Sequence, residues 1–110
     1  MAQLEKAKRL WAASRKGDAR AVAAMLGDER LSVDVYWARD DGLTALYIAS
    51  EEGHSEVVSM LLAKQDVDVN QAKNYGRTPL YIASQNGHSE VVSKLLAKEG
   101  IDVNQARDNG

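Results

Sequence analysis

The 110-residue chain predicts an all-α solenoid, built of stacked helix-turn-helix units joined by extended, hairpin-like loops. Three observations carry this reading. The sequence overlays itself at a shift of 34, and 23 of the 34 positions in residues 42–75 equal their partners in 76–109. Each copy holds a threonine, Thr44 or Thr78, whose hydroxyl suits a helix N-cap. In the second copy Pro79 follows at the first helical position, where no amide donor is needed. Each copy then holds a glycine, Gly53 or Gly87, able to close the helix in the left-handed conformation that a Cβ disfavours. A repeat of this length marks units too small to bury an apolar face alone, so they stack.

Residues 1–41 read as a degenerate first unit. Leu10-Trp11-Ala12-Ala13-Ser14 matches Leu46-Tyr47-Ile48-Ala49-Ser50 at an offset of 36, with Gly17-Asp18 standing for Gly53-His54 and Met25-Leu26 for Leu61-Leu62. Upstream, Gln3 to Arg9 is helix-prone, with Leu4, Ala7, Leu10 and Trp11 at one-face spacing. A stack needs an end unit with a polar outer face, and this segment is predicted to be that N-terminal cap. Its loop, Val33-Asp34-Val35-Tyr36-Trp37, departs from the later loops, and Trp37 is a candidate aromatic binding anchor. The alternative is that Tyr36 and Trp37 pack under the loop.

Unit two spans 42–75 and unit three 76–109. In each, a small Ala-Ser pair, Ala49-Ser50 or Ala83-Ser84, lets the first helices approach. The apolar faces come from Leu46, Ile48, Val57, Val58, Leu61 and Leu62, and one layer on from Leu80, Ile82, Val91, Val92, Leu95 and Leu96. The β-branched stretches ending in Asn70 and Asn104 read as extended loops, the short amides bonding backbone at the bend. Gly110 matches Gly76 and would open a further unit, so no C-terminal cap is expected. An uncapped third unit would expose parts of Leu80, Ile82, Leu95 and Leu96 as one strip, and self-association through that unit is the expected consequence.

These residues together resemble the ankyrin repeats. Thr-Pro-Leu opens the first helix, Gly-His stands at the turn, Val-Val-x-x-Leu-Leu fills the second helix, and Asp-Val-Asn lies in the loop. There are two departures. One residue is added after the second helix, in Lys64-Gln65-Asp66 and again in Lys98-Glu99-Gly100, against the usual period of about 33. Tyr47 and Tyr81 replace the histidine that usually follows Thr-Pro-Leu, which puts that imidazole's bond to neighbouring backbone in doubt. The tetratricopeptide repeat shares the period of 34, but its Trp and Gly-x-x-Tyr pattern does not occur.

Composition excludes several function classes. Net charge is −2, which gives no strong tendency to bind nucleic acid or another polyanion. There is no apolar run long enough to span a membrane and no signal-peptide core in residues 1–20, which points to an intracellular, cytoplasmic chain. Cysteine is absent, so disulfides and thiolate metal sites are out. His54 and His88 occupy equivalent repeat positions and are expected to bond backbone as neutral imidazoles. Glu51 and Glu52 are adjacent on a helix, point in different directions, and form a solvated acidic surface rather than a catalytic pair. Neither phosphate-binding glycine motif occurs, and no enzyme activity, metal or cofactor is expected.

The resemblance implies a protein-interaction module that binds a protein or peptide through a concave face made of loop tips and first-helix ends. The units differ from one another at those places. Asp40, Asp41 and Leu43 become Asn74, Tyr75 and Arg77, while Arg15 and Lys16 become Glu51 and Glu52, then Gln85 and Asn86. Repeated positions hold the fold, so positions that vary are free to face a ligand. A partner of mixed charge is expected, with Tyr75 as its anchor. A spacer within a longer array, with no ligand of its own, is the alternative. Asn70 and Asn104, each preceded by Asp-Val and by a leucine eight residues upstream, are also similar to the motif of an oxygen-dependent asparaginyl hydroxylase that acts on ankyrin repeats.

Overall fold

Thr44 and Thr78 both sit in extended backbone, and each hydroxyl accepts from the amide three residues on, Tyr47 and Tyr81, at 3.1 Å. A helix therefore starts in the same way in both copies, and Pro79 takes the first helical position of the second. At the other end, Gly17, Gly53 and Gly87 have φ of 75°, 77° and 73°. There the His54 amide reaches back to the Ala49 carbonyl at 2.9 Å and the His88 amide to Ala83 at 3.0 Å, which satisfies carbonyls a helix end leaves orphaned. The same closure occurs in the first unit, where Asp18 donates its amide to Ala13.

The computed structural model describes residues 3–27, 33–35, 37–39, 42–64, 77–98 and 101. Among them are six helices: α1 (Gln3–Lys16), α2 (Ala19–Gly27), α3 (Ala45–Glu52), α4 (Ser55–Leu62), α5 (Pro79–Gln85) and α6 (Ser89–Leu96). They pair as α1–α2, α3–α4 and α5–α6. The first helices α1, α3 and α5 then pack side by side, as do the second helices α2, α4 and α6. Ahead of α3 the chain turns as a tight hairpin. Ala38 pairs with Thr44 in an antiparallel bridge, and the Arg39 amide donates to the Leu43 carbonyl at 2.9 Å. These are the features of an all-α repeat solenoid.

One core runs through all three units, from Leu10 and Val22 through Leu46, Val57, Val58 and Leu61 to Val91 and Leu95. Ala49 and Ala83 are fully buried where first helices meet, as the small-residue pairs predict. A second cluster lies on the first-helix side: Trp11, Leu43, Tyr47, Ile48 and Ile82, with Trp37 packed against it.

Two expectations need correction. Leu4 does not join the buried stripe of α1 but stays 48% exposed, because nothing described packs over the start of that helix. The predicted strip on the third unit shrinks as well. Ile82 and Leu95 point inward and are buried, Leu80 is half-buried, and Leu96 at 49% is the only one of the four widely exposed.

Candidate protein-interaction face

The first-helix side has a row of equivalent aromatics, Trp11, Tyr47 and Tyr81, because an offset of 36 and then 34 places them at one level of successive helices. Trp11 is buried, and its indole Nε1 donates to the Leu43 carbonyl of the next unit at 3.0 Å. Tyr47 at the same position makes no such bond, so the doubt raised by its departure from the family pattern is justified. Its ring is almost fully covered, and its hydroxyl has no hydrogen-bond partner of proper geometry among the described residues. Burial raises the Tyr47 phenol above its ordinary value of 10.0, and the nearby Glu51 carboxylate adds to the rise. The Arg77 guanidinium opposes it through its charge. The Arg77 Nε is itself buried without a hydrogen-bond partner among the described residues. Tyr81 is half-buried at the third position of the row.

Above Trp11 the Arg39 guanidinium stacks on the indole, 4.6 Å from the ring centroid. Trp37, half-buried, packs on the same cluster. Packing therefore accounts for part of the Trp37 surface, and Tyr36 lies outside the described residues. Arg39 and Tyr81 are the surface residues that sequence comparison passes over. Arg39 has basic equivalents in Lys73 and Arg107, so inter-unit variation gives no signal there. Tyr81 is identical to Tyr47, so inter-unit variation gives no signal there.

The predicted contact residues divide into several groups. Arg15, Lys16, Glu52, Gln85 and Asn86 are exposed at the ends of α1, α3 and α5; Glu51 and Arg77 are half-buried. Asn86 is not wholly free, since its side-chain amide donates to the Glu51 carbonyl at 3.1 Å. Leu43 does not belong on the face. It is only 6% exposed, because the hairpin turns it beneath Trp37 and onto Trp11 and Tyr47. Asp40, Asp41, Asn74, Tyr75, Asn70 and Asn104 lie outside the described residues.

Both histidines bond backbone, as their repeat position predicts. His54 Nε2 lies 2.9 Å from the Arg15 carbonyl, and His88 Nε2 lies 2.9 Å from the Glu51 carbonyl. A carbonyl can only accept, so each Nε2 carries the proton. Neither ring caps its own helix, and each spans to the preceding unit instead. Among the described residues no cluster of histidine, aspartate or glutamate could hold a metal ion, and no helix is long and apolar enough to cross a membrane.

Among curated proteins, none matches the chain. A family model described as ankyrin repeats, in three copies, matches residues 10–107. Its span takes in both full units and the degenerate first one from Leu10 onward. With this match over nearly the whole sequence, and the paired helices, glycine turns and inter-unit histidines in place, the chain belongs to the ankyrin-repeat family.

Proposed function

We propose that the chain is a non-enzymatic binding module that holds a protein or peptide partner on its first-helix side. Ankyrin repeats are generally protein-protein interaction modules. One observation supports extending this to the first-helix side in particular. Exposed positions change from unit to unit, Arg15-Lys16 to Glu51-Glu52 to Gln85-Asn86, while the buried frame beneath stays nearly constant. Arg39 over Trp11, together with the half-buried Trp37, Arg77 and Tyr81, adds aromatic and guanidinium groups of the kind that dominate interface energetics. A basic end, an acidic middle and a neutral end suit a ligand of mixed charge laid across the units. A cytoplasmic setting fits this reading.

The test is selection of ligands from a displayed random-peptide library against the full chain. A selected peptide should lose at least tenfold in affinity with Arg39→Ala or with Glu52→Lys, and little with Glu90→Gln on α6. Peptides that bind equally well to all of these variants would overturn the placement. Failure to select any ligand would favour the spacer reading.

A further inference from the structure

Positive charge is concentrated on one helix. α1 holds five basic residues, Lys6, Lys8, Arg9, Arg15 and Lys16, against one acidic residue, Glu5, a net +4. The whole chain is net −2, so the residues outside α1 are net −6. At about 3.6 residues per turn, Leu4, Lys8, Ala12, Arg15, Lys16 and Arg9 fall within an arc of about 140°. All six are exposed. Glu5 is the one carboxylate of α1 on that arc. The opposite side, with Leu10 and Ser14, is buried against the rest of the stack.

Local helix chemistry accounts for only part of this pattern. Arg15 and Lys16 stand in the last turn, where cations complement the helix dipole. Glu5 is spaced to support Arg9 four residues on. Neither effect calls for Lys8. The four exposed cations instead repeat in register, Lys8 with Arg15 and Arg9 with Lys16, at an interval of seven residues or about 10.5 Å. Seven residues is the interval at which two helices lying side by side keep meeting on one face. Ala12 stands between the two pairs, and its single methyl lets another backbone come close. Leu4, 48% exposed, puts an apolar contact at the head of the same face.

We propose that this face of α1 is a docking surface for an acidic α-helix of a partner protein. Carboxylates seven residues apart on that helix meet the two cation pairs, with the guanidinium forks of Arg9 and Arg15 suited to bidentate contact. The charge distribution selects this occupant over an extended polyanion. A duplex or an anionic membrane laid on α1 would also approach the net −6 remainder of the chain, screened only over about 8 Å. A single helix, about 10 Å wide, can be held by α1 alone. One exposed leucine is also little apolar surface for a membrane interface. The surface shares Arg15 and Lys16 with the face proposed above but requires neither Arg39 nor Glu52, so the two readings can fail separately.

The test measures binding of the full chain to a labelled, alanine-based helical peptide of about three heptads. Two adjacent positions of each heptad carry glutamate. A control peptide of the same composition spreads its glutamates around the helix. The patterned peptide should bind about tenfold more tightly than the control, and more weakly as salt rises. Lys8→Glu with Arg9→Glu should cost it about tenfold in affinity, and Lys8→Gln with Arg9→Gln about threefold. Amide exchange across α1 should stay unchanged in these surface variants, and the glutamine pair decides the matter if the glutamate pair disturbs the helix. Arg39→Ala should leave the affinity within about twofold. Equal affinity for the two peptides, or full affinity in the Lys8 and Arg9 variants, would overturn the proposal. A loss with Arg39→Ala as large as with the charge reversals would move the peptide to the other face and overturn it too. Tighter binding to vesicles containing phosphatidylserine than to the patterned peptide would make a lipid surface the occupant instead.

Discussion

Tyr47 is the residue whose environment departs furthest from what its type suggests. It is nearly fully covered between first helices, yet its hydroxyl lacks a hydrogen bond of proper geometry among the described residues. A buried polar group without a partner costs stability, whereas an apolar ring of the same shape would not. Tyr47→Phe is therefore expected to change unfolding free energy by less than about 1 kcal/mol at neutral pH. At alkaline pH the two chains should separate. The folded phenol titrates above 10.0, so when pH passes about 10 the unfolded chain releases its proton first and the wild type loses stability. Below that value both states hold the proton and the term vanishes. Urea titrations at pH 8 and pH 11 check this. An equal alkaline loss in the Phe variant would show that another group is responsible.

At the scale of the element, α3 and α5 are two versions of one helix. Thr44 and Thr78 have nearly the same backbone, φ −92° and ψ 169° against φ −95° and ψ 165°. Both conformations are ones that a following proline favours, yet only α5 has the proline. Pro79 is itself buried in the equivalent place, which shows that the ring fits there in this architecture. Ala45→Pro should therefore stabilise by about 0.5–1 kcal/mol, chiefly by narrowing the unfolded ensemble. Chemical denaturation measures it, and a loss of stability would mean that the neighbours of Ala45 cannot make room. The capped starts and glycine stops of these helices were legible in the sequence because they depend on a few consecutive residues.

For the whole molecule, position in the stack decides what a residue contributes. Leu62 and Leu96 occupy the same place in identical helix ends, Val-Val-Ser-x-Leu-Leu, but one is 8% exposed and the other 49%. Leu62→Ala should cost about 2–5 kcal/mol, since it opens a cavity between units. Leu96→Ala should cost under about 1 kcal/mol, as for an ordinary surface change. Thermal unfolding of the two variants compares them directly, and equal losses would contradict the difference in burial. Stacks of this kind draw their stability from the interfaces between neighbours as well as from each unit. The final unit has one described interface where the middle unit has two.

The sequence by itself determined the period, the helix starts and stops, the helix-turn-helix pairing and the backbone role of His54 and His88. Each of these follows from short-range chemistry or from counting along the chain. Only the tertiary structure decided which equivalent side chains are covered. It buried Leu43 under the hairpin, left Leu4 in solvent, turned Ile82 and Leu95 inward, and showed that each histidine bonds the preceding unit rather than its own helix. Burial and partnership depend on what lies across an interface. Ser50 and Ser84 both end the same Leu-Tyr-Ile-Ala-Ser stretch, yet the first is covered by the following unit and the second is exposed.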